Sequence, residues 1–286
     1  MLLGLIAVAA FSLTLPATRA ALESFHPIFV SAGRALMAAV LAAIYLSTGR
    51  HRRPTRQEFK GLLVVMAGVV FGFPVFTALA LRHVDASHGG VMLGIMPLTV
   101  AASGFLLYKE RPSPGFWVAA LTGSALVMAF SVMRADGGLQ WADVSLLLAV
   151  VTASVSYAVG SALSKTLGGL QVISWALLIA VPLWTIPAII YAPASFHGTT
   201  NAWIGFIYVA LFSQFLAFLP WFRGLAMGGI ARVGQAQLLQ PFLTILASAL
   251  LLGESVDAVT IGFAVAVFAV VAIGRRSKIE RRKTHA

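Results

Sequence analysis

The chain alternates long apolar segments with short connections that carry charge, proline or glycine. A helix that crosses the bilayer core, roughly 30 Å thick, needs about 20 mainly apolar residues because it rises about 1.5 Å per residue. Only 10% of the residues are charged, against about 25% in ordinary soluble domains, which excludes a water-soluble globule. The sequence predicts an all-α integral membrane protein with ten transmembrane helices. They are expected near residues 2–21, 27–47, 60–81, 87–108, 114–133, 143–164, 170–191, 202–222, 231–252 and 257–274.

The basic residues lie mostly in alternate connections. If the N-terminus is cytoplasmic, sixteen Lys and Arg residues fall in cytoplasmic segments, and only Arg82 and Arg134 fall in outer loops. Because cytoplasmic loops carry the excess of positive charge, both termini are predicted to be cytoplasmic, in a bacterial inner (plasma) membrane. The net charge of +11 would suggest nucleic acid in a soluble protein, but the clusters at 50–60 and 275–283 border apolar segments. That placement is typical of loops beside anionic lipid. The lipid bilayer is therefore the expected partner, and no nucleic acid is expected.

The two halves of the chain share a pattern at an offset of 144 residues. The matching residues are Gly90, Pro97, Leu106, Leu107 and Glu110 in the first half, and Gly234, Pro241, Leu250, Leu251 and Glu254 in the second. Five helices per half is an odd number, so the second half must enter the membrane inverted. We therefore predict two inverted five-helix repeats, at residues 1–134 and 143–274, followed by a basic cytoplasmic tail at 275–286.

Inverted repeats favour a transport function, because each half can rock against the other around a central substrate site. Pro97 and Pro241 occupy equivalent places, and each removes an amide donor and frees a carbonyl one turn earlier. We predict that both act as hinges, although many prolines in transmembrane helices are only structural.

Polar and aromatic side chains mark possible walls of a cavity. Gln237, Gln240, Thr244 and Ser248 share one helical face, and they either contact substrate or bond neighbouring helices. Aromatic residues are dense in the third and eighth predicted helices. They either form a pocket for a substrate with an apolar or aromatic part or face lipid.

Charged groups inside the predicted helices are few. All nine Asp and Glu residues fall in loops, at helix ends or in the tail. An exporter of drug-like cations typically needs a buried carboxylate for proton exchange, so such a cargo is disfavoured. Arg34 lies within the second helix and either binds a substrate carboxylate or ties helices together; we favour the tie, because Arg34 is only two turns from the outer surface. His88 is a candidate for proton coupling, with a surface histidine as the alternative.

No catalytic or metal site is predicted. The chain has no cysteine, which excludes thiolate ligands and cysteine nucleophiles, and no cofactor is expected. A membrane-embedded enzyme would need a cluster at one interface, whereas His51 and Glu58 are predicted to lie on the opposite side from His83 and Asp85. The protein is therefore not expected to be an enzyme.

The two proline-containing helices that close with Glu110 and Glu254, the arginine in the second helix and the inverted layout resemble the EamA-type members of the drug/metabolite transporter superfamily. The chain is most similar to the YddG-type aromatic amino acid exporters. This resemblance implies export of aromatic and other neutral amino acids through a central cavity lined by helices 1, 3, 4, 6, 8 and 9. Together with the polar face, it predicts a substrate-binding set of Thr14, Pro16, Phe76, Met96, Tyr157, Gln214, Gln237 and Gln240.

Other cargoes remain open at this point, namely drug-like cations, nucleotide sugars and other metabolites. The protein is expected to work as a monomer on a small-molecule substrate.

Overall fold

The computed structural model describes residues 1–49, 51–109, 114–134 and 140–275, and this part of the chain is helical, with no strand. Glu110, Arg50, Arg111 and the tail residues 276–286, on which parts of the repeat and charge predictions depend, lie outside it. The α-helices are α1 (Leu2–Ser12), α2 (Thr14–Leu22), α3 (Pro27–Thr48), α4 (Arg56–Val65), α5 (Phe73–Ala80), α6 (Ala86–Leu93), α7 (Met96–Tyr108), α8 (Pro114–Arg134), α9 (Trp141–Leu167), α10 (Gly169–Ile190), α11 (Thr200–Tyr208), α12 (Phe218–Gly228), α13 (Ile230–Gly234), α14 (Gln240–Leu252) and α15 (Ala258–Arg275). A first π segment spans Met66–Gly72, a second spans Val209–Leu216, and a 3₁₀ segment spans Gln235–Leu239.

Several of these helices join end to end into membrane-length runs. Seven runs are long and apolar enough to cross a bilayer, and three shorter apolar helices coincide with the fifth, ninth and tenth predicted helices. The seven are Leu2–Leu22, Pro27–Thr48, Arg56–Ala80, Ala86–Tyr108, Trp141–Leu167, Gly169–Ile190 and Thr200–Gly228, and the shorter three are Leu121–Phe130, Ala236–Leu252 and Ala258–Val270. The all-α class predicted from the sequence is confirmed for the described residues.

The first apolar run bends at Leu13, between α1 and α2. Pro16 has no amide hydrogen, so the carbonyl of Ser12, one turn earlier, loses its helical partner. The Thr244 hydroxyl on α14 donates to that carbonyl at 2.9 Å. The helix break is therefore stabilised by a polar group from the far end of the chain.

The first π segment is followed by Pro74, which leaves further carbonyls without an amide partner. Side chains from neighbouring helices supply the missing donors: Gln214 Nε2 donates to the Val69 carbonyl at 3.0 Å, and Trp184 Nε1 to the Val70 carbonyl at 3.2 Å. Gly68 allows α9 to approach closely, since a Cβ there would lie 1.8 Å from the Ser156 hydroxyl oxygen. The irregular backbone is thus enclosed by protein, as the absence of water from a bilayer core requires.

The breaks themselves recur at the offset of 144 residues. Helix α7 runs from Met96 to Tyr108 and α14 from Gln240 to Leu252, so both bounds differ by 144. Each helix is followed by a residue in the left-handed conformation, Lys109 (φ 55°) or Gly253 (φ 66°). The two π segments are also nearly 144 residues apart in the chain, and so are the α-helices that precede them, α4 and α11.

The packing of the helices also changes little when residue numbers are shifted by 144. Helix α3 packs against α10 and α8 against α15, and each of these pairs joins two corresponding elements. The contact of α2 with α11 corresponds to the contact of α9 with the run that contains α4, the first π segment and α5. Helices α6 and α14 pack together, as their counterparts α13 and α7 do.

Candidate functional site

A small cavity lies where the broken helices meet. Its volume is about 10 Å³, room for about one water molecule. Its walls come from the α1/α2 break, α3, both π segments and the helices after them, α9, and the start of α14. The lining residues are Phe11, Thr14, Arg34, Val69, Phe73, Tyr157, Ser213, Gln214, Phe218 and Gln240.

Neutral polar groups from opposite ends of the chain meet at this cavity. Thr14 Oγ1 and Ser213 Oγ lie 2.8 Å apart, and Nη2 of Arg34 donates to Ser213 Oγ at 2.9 Å. The Thr14 hydroxyl, just after the bend at Leu13, therefore meets the hydroxyl of Ser213 in the second π segment, and Ser213 accepts from the guanidinium.

Among the described residues that line the cavity, Arg34 alone is charged, and it is almost completely buried. Within the described part of the chain, its Nε and Nη1 atoms have no hydrogen-bond partner, and neither does Oε1 of Gln240. Leaving such groups unpaired in a dry interior is costly, so the cavity offers both donors and an acceptor to a bound molecule.

Aromatic rings form another wall. Phe11 packs edge-on against Phe218 with 5.2 Å between ring centroids, and it stacks on Tyr157 at 6.5 Å. Trp221 stands behind them, 5.2 Å from Tyr157 and 6.0 Å from Phe11. This wall suits an apolar or aromatic group of a ligand.

The predicted substrate-binding residues divide into two groups. Thr14, Tyr157, Gln214 and Gln240 line the cavity, whereas Pro16, Phe76, Met96 and Gln237 do not.

Bonds to other helical segments are observed for three members of the second group. Met96 and Gln237 touch each other, with Nε2 of Gln237 3.5 Å from the Met96 sulfur. The Phe76 carbonyl accepts a hydrogen bond from Ser145. On the polar face of α14, Thr244 and Ser248 bond to backbone carbonyls, so only Gln240 of that face lines the cavity.

Six lining residues were not in the predicted set, namely Phe11, Arg34, Val69, Phe73, Ser213 and Phe218. The burial cost of a guanidinium inside an apolar helix was a usable signal for Arg34. A single serine or phenylalanine in a membrane helix carries no comparable signal, because both are common there.

At one end of the bundle, the carboxylate of Glu254 caps the N-terminus of α6. It accepts hydrogen bonds from the amides of Ala86 at 2.8 Å and Ser87 at 2.9 Å. An anion there satisfies unpaired amides and the positive end of the helix dipole. The connection after α14 is thereby tied to the start of α6, and we call this region the Glu254 end.

His88, the predicted coupling residue, lies at the Glu254 end and not in the cavity. Its Nε2 is 2.7 Å from Oδ1 of Asp143, a buried carboxylate in the first turn of α9. Asp143 also accepts a hydrogen bond from the Gln140 amide. The pair therefore joins α6 to the N-terminus of α9.

A second polar connection lies at the opposite end of α9. Arg52 makes two hydrogen bonds to Glu58, at 2.8 and 2.6 Å, and Thr166 donates to the same carboxylate at 2.8 Å. This network ties the start of α4 to the last turn of α9.

The chain is similar in sequence and in fold to known proteins. Residues 1–131 and 140–274 match the EamA-like transporter family. The chain is 42% identical over 281 residues to the uncharacterized transporter YdeK of Bacillus subtilis (strain 168), with 96% of each chain covered. It is 24% identical over 209 residues to the uncharacterized transporter YetK of the same strain, covering 69% of this chain and 63% of YetK.

A crystal structure of a protein with 20% sequence identity has a TM-score of 0.69 over 96% of both chains, which supports the fold alone. With two matches that together span nearly its whole length, and a relative of high identity, the chain belongs to the EamA-like transporter family and is a membrane transporter.

Proposed function

We propose that the protein exports neutral and aromatic amino acids from the cytoplasm by alternating access around the central cavity. The observation that carries the proposal is the cavity itself, which is built where helices of both halves are broken. Discontinuous helices around a central site are the arrangement by which secondary transporters bind cargo and change its exposure.

The bundle is proposed to have ten transmembrane helices arranged as two inverted five-helix repeats. Equal bounds of α7 and α14 at a separation of 144 residues, with the matching π segments, support the duplication. When residue numbers are shifted by 144, the contacts of α3 with α10, α8 with α15, α2 with α11 and α6 with α14 each map onto a contact between the counterpart helices of the other half. This correspondence supports a two-fold relation between the halves. An odd number of helices per repeat makes that relation an inverted one.

Pro97 and Pro241 are proposed hinges. Pro97 is the second residue of α7, which follows the turn at Gly94 and Ile95. Pro241 is the second residue of α14, which follows the 3₁₀ segment. In each run a proline therefore lies in the first turn of the half-helix that follows a change of backbone geometry, where rotation disturbs fewest hydrogen bonds.

Amino acids are proposed as the cargo because of what the lining offers. The aromatic wall of Phe11, Tyr157 and Phe218 suits an apolar or aromatic side chain. No Asp or Glu is among the residues that line the cavity, and Arg34 would repel a cation. Drug-like cations are therefore the weaker candidate.

With both termini in the cytoplasm of a bacterial cell, the Glu254 end faces outward and the network of Arg52, Glu58 and Thr166 faces inward. Both networks connect residues of the first repeat to residues of the second. We propose that they hold the two ends closed, and that the His88–Asp143 pair couples opening of the outer end to proton movement.

The test is transport by purified protein in liposomes. We expect counterflow of labelled phenylalanine, leucine or tryptophan well above that of protein-free vesicles. Absence of counterflow for all of the standard amino acids would refute the proposal. Uptake of ethidium without any amino acid movement would instead favour drug-like cations.

A further inference from the structure

Arg34 lies in an environment that should exclude an arginine. Its side chain is 2% exposed, on a helix whose buried face is otherwise mostly alanine. An arginine at the centre of a membrane helix costs about 2.5 to 3.5 kcal/mol on insertion scales, so such residues usually pair with other groups. Among the described residues, however, no carboxylate forms an ion pair with Arg34.

The hydrogen bonds of Arg34 leave most of its donors unused. A guanidinium has five N–H donors. One bond, from Nη2 to Ser213 at 2.9 Å, is formed, while Nε and Nη1 have no partner among the described residues. Ser213 is itself bonded to Thr14, which holds the guanidinium at the cavity wall. The charge is therefore positioned, but it is not neutralised.

We propose that Arg34 binds the carboxylate of the cargo, and that Oε1 of Gln240 accepts a hydrogen bond from its ammonium group. This inference rests on the proposed function, because it assigns the cargo class of the same cavity. A guanidinium matches a carboxylate through two parallel N–H···O bonds, which neutral donors such as Ser213 cannot provide. Gln240 supplies a buried acceptor without a partner in the same lining.

The cargo class that follows is a small molecule with a free carboxylate and an apolar group. Amides and esters of amino acids lack the anion and should be rejected, because the buried guanidinium would then stay unpaired. The ammonium group of the cargo should contribute less to the binding free energy than the carboxylate, because it faces the neutral side-chain oxygen of Gln240. With only about 10 Å³ of space, the cavity must widen to admit cargo. Binding is thereby linked to the movement of the halves.

The alternative is that Arg34 only ties α3 to the second π segment through Ser213. A structural tie predicts that Arg34 variants lose stability without changing the preference between ligands. The ratio of acid to amide binding therefore separates the two roles.

The experiment measures binding of L-phenylalanine, L-phenylalaninamide and 3-phenylpropionate to the full chain in nanodiscs. We expect the amide to bind wild type at least about 30-fold more weakly than phenylalanine, as for removal of one partner of a buried charge pair. Arg34→Gln should abolish this preference, Arg34→Lys should retain part of it, and Arg82→Gln, at an exposed arginine, should retain all of it. Gln240→Leu should weaken binding of phenylalanine but not of 3-phenylpropionate.

Equal binding of acid and amide by wild type would overturn the inference, and this comparison needs no variant to fold. A preference that persists in folded Arg34→Gln would overturn it as well. If phenylalanine is exported and the preference is absent, only the proposed function survives. If no amino acid is transported but 3-phenylpropionate binds wild type and not Arg34→Gln, the carboxylate site survives without the proposed function. If none of the three ligands binds wild type, the carboxylate site is refuted.

Discussion

The side-chain amide of Gln214 donates a 3.0 Å hydrogen bond to the backbone carbonyl of Val69. This bond joins the two π segments directly, and both residues line the cavity. Because Pro74 and the π geometry leave the Val69 carbonyl without its α-helical partner, the packing of one half satisfies the broken backbone of the other.

Replacing Gln214 by methionine should therefore destabilise the bundle. We expect a loss of about 1–3 kcal/mol in the free energy of unfolding, the usual cost of an unsatisfied buried carbonyl. Thermal or denaturant unfolding in detergent measures it. Gln57→Met, at an exposed glutamine of α4, is the matched control, and equal losses in both variants would contradict the role of the bond.

The bond from Thr244 to Ser12 should depend on Pro16. When Pro16 is present, Thr244→Val leaves the Ser12 carbonyl without a hydrogen-bond donor. In a chain that also carries Pro16→Ala, the new amide of residue 16 can donate to the Ser12 carbonyl instead of Thr244. A double-mutant cycle on unfolding should give a coupling energy of about 0.5–1.5 kcal/mol. Additive effects of the two substitutions would show that Thr244 does not serve the freed carbonyl.

The proposed hinges predict a kinetic defect. Pro97→Ala or Pro241→Ala should slow transport several-fold more than either reduces the amount of folded protein, because a continuous hydrogen-bond ladder resists bending. Initial transport rates per folded protein test this. Pro182→Ala serves as the control, since Pro182 is an exposed proline inside α10. If transport and folding fall in proportion, the kinks are only structural.

The Glu254 cap should help to hold one end of the transporter closed. Because the chain contains no cysteine, a Gln240→Cys variant reports on access to the cavity without background. Adding Glu254→Gln should speed its labelling by a membrane-impermeant maleimide several-fold, since charged hydrogen bonds are worth about 1.5–3 kcal/mol. Ser255→Ala, one residue along, is the control, and an unchanged labelling rate would exclude a closing role.

The His88–Asp143 pair predicts a specific defect in coupling. His88→Gln should retain amino acid counterflow but lose transport driven by an imposed pH gradient. His83→Gln, at an exposed histidine close by, should behave as wild type. Gradient-driven transport that survives in His88→Gln would remove His88 from the coupling mechanism.

Much of the architecture could be predicted from local sequence. Runs of apolar residues indicated the helices, and the order of glycine, proline and glutamate indicated a repeat, because both properties depend on residue type and spacing. The cavity was only partly predictable. Thr14, Tyr157, Gln214 and Gln240 line it, while Met96 and Gln237 pack against each other. Helical spacing shows which residues share a face but not which neighbour that face meets.

Sequence alone determined the membrane class, the helical content and the places where proline removes a backbone donor. Tertiary structure alone decided which groups complete those breaks, as Thr244 does for Ser12 and Gln214 for Val69. It also placed Arg34 at a cavity, where Nη2 bonds to Ser213 while Nε and Nη1 have no partner among the described residues. The physical reason is that hydrogen-bond satisfaction in a dry interior depends on partners far apart in the chain, which helix packing brings together.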